Sequence, residues 1–444
     1  MTMDKMTKNS NLFKMSIPIF IELLMQLFVG NVDQIMVGWY SNASVAAIVN
    51  GNQIINLIIT TMNTLCMATT VMLTQYLGAK DKEKSNQICM LSTLIMGSLG
   101  LLTSLVSIFA CRPIYESMNI DPLILEETCL YLMIVGGVSV FQALHMNFVA
   151  ILRSHTRMKE VMGVSIFMNV LNVAGNTLLI NGLFGLPRLG VVGAAIATAV
   201  SKLAGLIVIC ILMVKYTEVE FKLNYLMIEK KDMIGKFMRI GLPTGAENIS
   251  YHLSQAFVLG IINPYGALVT ATKGYCGILA NVSYIYGVAI AQALQIVIGY
   301  LLGSGKIDEI EKKVWWTAKV GVITSSGIMF LLWLFSNQTL GIFTQDPTML
   351  MIGSQVLFFD IFLEAGRAIN NTLTKSFISV GEIRLPIIVG ISFQWIIGLG
   401  LAYIFGGVLE LGLPGIWFAM MLDECFRGII YIVNFRKNKW KSNI

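Results

Sequence analysis

The sequence predicts an all-α polytopic membrane protein, with twelve transmembrane helices arranged as two related six-helix bundles. Three observations carry this. Only 13% of the residues are charged, about half of the roughly 25% found in an ordinary soluble domain. Apolar runs of spanning length recur from one end to the other. The second half of the chain also repeats the first.

A spanning helix needs about 20 mostly apolar residues. Runs of that kind, bounded by charges and turn residues, fall at 13–38, 44–76, 88–111, 128–152, 160–182, 191–214, 234–262, 267–303, 315–338, 348–373, 384–406 and 413–435. The second and eighth exceed what a bilayer requires, so they are expected to tilt or to project into the cytoplasm. The opening MTMDKMTKNSNLFK is polar and basic, and the apolar run after it is too long for a cleavable signal, so no leader is expected. The seven cysteines and three histidines show neither a CxxC pair nor metal-ligand spacing, so no metal or cofactor is expected. Cys111 and Cys129 flank one loop; they could pair, or serve as small apolar fillers.

Basic residues set the orientation. Lys5, Lys8 and Lys14 precede the first run. Lys80, Lys82 and Lys84 follow the second, and Arg153, Arg157 and Lys159 follow the fourth. Lys215, Lys222, Lys230, Lys231 and Lys236 crowd the central loop, and Arg436, Lys437, Lys439 and Lys441 close the chain. The opposite side holds only Arg112 and Arg188. Both termini are therefore expected in the cytoplasm, with the chain in the plasma (inner) membrane. The net charge of +6 follows from this topology, so no nucleic-acid partner is needed to explain it.

LFKMSIPIFIELL at Leu12 matches FMRIGLPTGAENI at Phe237, aligning Pro18 with Pro243 and Glu22 with Glu247. The same displacement carries Asn56 onto Asn281 and Leu77–Gly78 onto Leu302–Gly303. Later, LGVVGAAIA at Leu189 resembles LGLPGIWFA at Leu411. The reading is an N-terminal lobe over 1–214, a cytoplasmic linker over 215–236 and a C-terminal lobe over 237–444. Six is even, so the halves run parallel, and their pseudo-twofold axis should lie along the membrane normal. Parallel halves around a midline site are a transporter plan.

Deep in the proposed spans, acids outnumber bases: Glu22, Asp33, Glu247, Asp360, Glu364, Asp423 and Glu424 against Lys202, Lys273, Arg367 and Arg427. A carboxylate at membrane depth costs about 2.5–3.5 kcal/mol on insertion scales. Glu364 can meet Arg367, and Asp423 can meet Arg427, at helical spacing. Asp33 has no base within a turn. It is either protonated or facing a cavity or bound cation, and both make it a candidate proton or ion site; the bland alternative is an acid hydrogen-bonded between helices. Asn169, Asn172 and Asn176 mark the fifth span. In the second, Asn52, Asn56, Thr60 and Asn63 form one stripe, which Asn281, Gln292 and Gln295 partly echo in the eighth. Such stripes line wet cavities or join helices by hydrogen bonds. Methionines and aromatics such as Tyr251, Tyr275 and Trp395 suit a promiscuous pocket and equally suit packing. No nucleophile–base set or HExxH motif accompanies them, so an enzyme is not expected.

These residues resemble the multidrug and toxic compound extrusion (MATE) family. The resemblance rests on Pro18 and Asp33 in the first span, QYLGAKDKEK closing the second, and ILRSHTRMK followed by Asn169, Asn172 and Asn176. It covers essentially the whole chain. It implies two lobes forming a V-shaped cleft, and export of amphiphilic, mostly cationic organic compounds in exchange for protons, with sodium the alternative. It maps the protonation site onto Asp33 and a substrate-facing amide onto Gln26. Proton-coupled members carry Asn and then Asp in the fifth span; here the pair is Asn172 and Asn176, a departure that removes one carboxylate. The sodium-coupled members point to Glu247 and Glu364. The coupling set is thus Asp33, Asn172, Asn176, Glu22, Glu247 and Glu364, and the substrate cavity Gln26, Asn56, Asn63, Asn169, Tyr251, Asn281 and Asp360. A monomer is expected. A lipid-linked oligosaccharide flippase of the same architecture is the alternative; the excess of mid-span acids over bases favours cationic cargo.

Overall fold

The computed structural model describes residues 8–38, 41–118, 120–182, 185, 187–222, 225 and 230–443; the side chains of 28–35, 42, 43, 181, 230, 442 and 443 are outside the described set. Every regular element among the described residues is helical. In chain order the helices are α1 (Asn9–Gly38), α2 (Asn42–Gly78), α3 (Lys82–Phe109), the short α4 (Cys111–Ser117), α5 (Pro122–Gly137), α6 (Ser139–Ser154), α7 (Met158–Asn181) and α8 (Gly190–Tyr216). There follow α9 (Lys230–Ile262), α10 (Ala267–Gly303), α11 (Ile307–Leu334), the short α12 (Ser336–Gly341), α13 (Pro347–Ser379), α14 (Arg384–Val408) and α15 (Gly412–Arg436). Eight of these are long and apolar enough to cross a membrane, or nine if the bent pair α5–α6 is one span. This is a polytopic membrane protein. Val170, Ile207 and Ile211 expose more than half their surface, as lipid-facing side chains do.

Local chemistry starts the helices where the charged punctuation lies. Ser41 caps α2, and the Asp81 carboxylate caps α3 by accepting from the Lys84 amide at 3.0 Å. Asp121 and Asp346 cap α5 and α13, each followed by a proline whose missing N–H costs nothing in the first turn. Pro18 and Pro243 instead lie inside α1 and α9, where each removes one ladder bond. The fourth apolar run, read as one span, is two helices bent by 44°. Gly136 and Gly137 precede the break, and the Val140 amide at the start of α6 donates to Ser104 Oγ of α3 at 3.1 Å. A Cβ on Gly100 would lie 2.7 Å from Val140 Cα, so glycine there is what lets α3 approach.

The chain forms two compact units, Ile21–Gly241 and Met1–Phe20 with Leu242–Ile444. In the first, α2 packs on α3, α5 and α6, and α8 packs on α6 and α7. Its core includes Val37, Ile48, Tyr115, Leu132, Ile180 and Ala195. In the second, α13 is central, packed by α10, α11 and α15, with α14 against α15. Val356, Leu357, Leu363, Ile416 and Trp417 belong to its core. Helix α14 contains two π-helical stretches, Gln394–Leu399 and Tyr403–Val408, a widening that tends to mark functional sites.

Candidate functional site

Among the buried polar residues, two groups bear on the candidate site, one in each unit. The first centres on α7. Asn172 and Asn176 are 3% and 0% exposed. Asn172 Nδ2 donates to Thr198 Oγ1 of α8 at 3.1 Å, and Asn176 Nδ2 approaches Asn172 Oδ1 at 3.5 Å. Small residues bring the helices together: a Cβ on Gly175 would lie 2.9 Å from Ala197 Cβ, the residue before Thr198. Thr198 is a partner that the sequence reading missed. Its only signal was its place in the small-residue run GVVGAAIATAVS, and threonine is unremarkable there.

Asp33 lies on α1, but its side chain is outside the described residues. Glu22 is buried in the same unit, its carboxylate accepting from Arg153 Nη2 of α6 at 2.5 Å and from Gln26 Nε2 at 3.4 Å. Gln26, Asn56 and Asn63 are exposed. Asn52 Oδ1 accepts from the Tyr131 hydroxyl at 3.2 Å, so the stripe on α2 is divided between a residue that joins helices and residues that are exposed. Asn169 is partly buried, and its Nδ2 has no hydrogen-bond partner among the described residues.

The second group lies on α13 and α15. The pairs expected at helical spacing form: Arg367 Nη1 donates to Glu364 at 2.8 Å and Arg427 Nη2 to Asp423 at 3.0 Å. Glu424 then links them, 2.7 Å from Arg427 and 3.6 Å from Arg367, and accepts from Asn370 Nδ2 at 2.6 Å. Asp360, one turn before Glu364, accepts from Trp417 Nε1 at 3.1 Å. Glu364 and Asp360 are each 1% exposed. Glu247, on α9, reaches α14, where a Cβ on Gly390 would lie 2.6 Å from its Oε1. Tyr251 is partly buried, with its ring edge-on to His252. Asn281 is exposed. Lys273 makes no ion pair among the described residues; Arg367 and Arg427 are the bases paired with these carboxylates. All seven cysteines are free, Cys111 and Cys129 included.

Chemically, the first group offers neutral amides and a hydroxyl, and the second a carboxylate–guanidinium lattice. The MatE family profile matches residues 18–178 and 243–404, beginning at Pro18 and again at its repeat partner Pro243. The uncharacterized transporter YisQ of Bacillus subtilis is 36% identical over 98% of this chain and 95% of its own. The probable multidrug resistance protein NorM of Thermotoga maritima is 24% identical over 97% of this chain and 93% of its own. Among solved structures, an outward-facing multidrug resistance MATE family transporter of the MOP superfamily superposes with a TM-score of 0.90, at 20% identity over 97% of this chain and 96% of its own. A MOP superfamily transporter from Pyrococcus furiosus gives 0.88 at 21% identity, over 97% and 96%. With both halves matched by the family profile, the chain belongs to the MatE family of membrane transporters and is not an enzyme.

Proposed function

We propose that this transporter is a twelve-span antiporter of the plasma membrane, exporting amphiphilic, mostly cationic organic compounds in exchange for protons. The observation that carries the reading is the buried Asn172–Thr198 and Asn172–Asn176 arrangement, in the same compact unit as the mid-helix acid Asp33. Neutral amides and a hydroxyl offer hydrogen bonds without a fixed counter-charge, which suits a carboxyl that must take up and release a proton. The same oxygens could hold sodium, which is the competing coupling ion.

The span count is supported by three further helices. Asn9–Gly38, Lys230–Ile262 and Gly412–Arg436 have 30, 33 and 25 residues. At ~1.5 Å per residue each is long enough for a hydrocarbon core about 30 Å thick. These helices carry Glu22, Asp33, Glu247, Asp423 and Glu424, and acids within spans are the usual mark of ion pathways. Both termini would then be cytoplasmic, and the lobes would be 1–214 and 237–444 about the linker 215–236. Cationic cargo is supported by the excess of deep acids over bases, and by relatives described as probable multidrug resistance proteins. The remaining coupling candidates, Glu22, Glu247 and Glu364, are partnered or packed acids that would act by exchanging those partners.

The test is efflux of a cationic dye from proteoliposomes. A pH gradient without sodium should drive efflux, and Asp33→Asn should abolish it in a folded protein. Efflux only under a sodium gradient at equal pH overturns proton coupling. Wild-type efflux by Asp33→Asn removes Asp33 from the mechanism.

A further inference from the structure

A cavity of about 10 Å³ lies among α9, α13, α14 and α15, bordered by Tyr251, Gln255, Arg367, Gln394, Gly398 and Asp423. That is about the room one water molecule needs. On two of the residues that border it, an acceptor oxygen, Asp423 Oδ1 and Gln394 Oε1, has no hydrogen-bond partner among the described residues. Both side chains are more than nine-tenths buried, at 7% and 5% exposure. Polar atoms so deeply buried ordinarily have partners. The site is also shaped for the carboxyl. Gln394 opens the π-helical stretch Gln394–Leu399, and a Cβ on Gly398 would lie 3.3 Å from Asp423 Oδ2.

We propose that Asp423 is a proton-binding carboxyl of the C-terminal unit, its Oδ1 protonated and hydrogen-bonded toward Gln394 Oε1, directly or through one water. Three considerations select a proton over a metal cation. Asp423 Oδ2 already accepts from Arg427, and Glu424 is held by both Arg427 and Arg367, so a further fixed cation would meet two guanidinium groups. Gln394 Oε1, an acceptor on the cavity's border, is also buried without a donor, which suits a protonated carboxyl or a water molecule able to donate to it. Three carboxyls, Glu364, Asp423 and Glu424, share two guanidiniums in this lattice, so one proton brings it to neutrality.

The groups facing Asp423 are Glu424 and Arg427 of its own helix, and Arg367 of α13 with Glu364 and Asp360 beyond it. From α9 come Tyr251 and Glu247, the latter near Arg427 and Lys375. The balanced step is simple. A hydronium ion from the aqueous phase gives its proton to Oδ1, leaving water and a neutral carboxyl; release reverses it. This inference does not depend on what the transporter carries or on Asp33.

Infrared difference spectroscopy of the full chain in lipid nanodiscs tests it. Acidification should raise a carboxylic C=O band that is lost in Asp423→Asn and kept in Asp33→Asn. Gln394→Met should keep that band but move it to higher frequency, because the acceptor is gone. Replacing choline chloride by sodium chloride at constant pH should leave it unchanged. A folded Asp423→Asn protein with the full band overturns the proposal, as does a band unmoved by Gln394→Met. A band abolished by sodium overturns it in favour of a metal-cation site. Should Asp423→Asn fail to fold, the Gln394→Met spectrum decides.

Discussion

Arg153 Nη2 lies 2.5 Å from the Glu22 carboxylate, joining the last turn of α6 to the middle of α1. Both side chains are largely withdrawn from the surface, at 17% and 3% exposure, so the carboxylate is charge-balanced inside its own unit. Removing one partner of a buried pair leaves the other charge uncompensated, which costs about 3–5 kcal/mol. Arg153→Met should therefore lower the midpoint of thermal unfolding sharply. The double variant Arg153→Met with Glu22→Gln should recover most of the loss. Equal losses for the single and double variants would mean that Arg153 acts through packing alone.

Thr198 accepts the only hydrogen bond that Asn172 Nδ2 donates among the described residues. Thr198→Val keeps the shape and removes the acceptor, leaving a buried amide donor at a cost of about 1–3 kcal/mol. Gly175→Val forces α7 from α8, because even a Cβ would lie 2.9 Å from Ala197 Cβ. Both variants should reduce gradient-driven dye efflux, with the glycine change also reducing stability more. Full efflux in a folded Thr198→Val protein would show that the Asn172 amide needs no fixed orientation.

His155 lies in the turn after α6, its Nδ1 2.9 Å from the Ile151 carbonyl. Burial holds its pKa below the ordinary imidazole value; the Ile151 hydrogen bond opposes this and Arg157 adds to it. The unfolded chain thus binds more protons here than the native one. Stability from this group is complete above about pH 6.5. It is lost as pH falls from there towards the depressed native value. His155→Gln should flatten that acid limb in a series of unfolding midpoints against pH, and an unchanged limb would remove His155 from it.

Much of the helix layout was legible because membrane helices advertise themselves: apolar runs are punctuated by charges and by capping residues such as Asp81 and Asp346. The Glu364–Arg367 and Asp423–Arg427 pairs were legible too, since they follow from helical pitch. Contacts between distant helices were not. Nothing in the sequence near Glu22 indicates Arg153, and Thr198 has no local feature linking it to Asn172. Glu424 joins two arginines only because a Cβ-free Gly366 lets α13 approach its backbone, where a Cβ would lie 2.8 Å from the Glu424 carbonyl carbon. The bend at Val138 was hidden because Gly136 and Gly137 are common in apolar helices and the stabilising Ser104 lies on another one. The π turns of α14 likewise leave no periodic signal.

Trp417 Nε1 donates to Asp360 Oδ1 at 3.1 Å, and Asp360 Oδ2 has no partner among the described residues. Trp417 and Asp360 are 5% and 1% exposed, so solvent cannot replace the indole N–H. Trp417→Phe retains most of the ring packing while removing that donor, and should cost about 1–3 kcal/mol. Asp360→Asn should make the loss of the indole easier to tolerate, because a neutral amide in place of the carboxyl demands less of its surroundings. A double-mutant cycle on thermal unfolding in detergent should then give a coupling of roughly 0.5–3 kcal/mol, the range for residues in direct contact. Strictly additive losses would mean that the indole stabilises α15 by packing only and leaves Asp360 to be balanced by the α13 lattice.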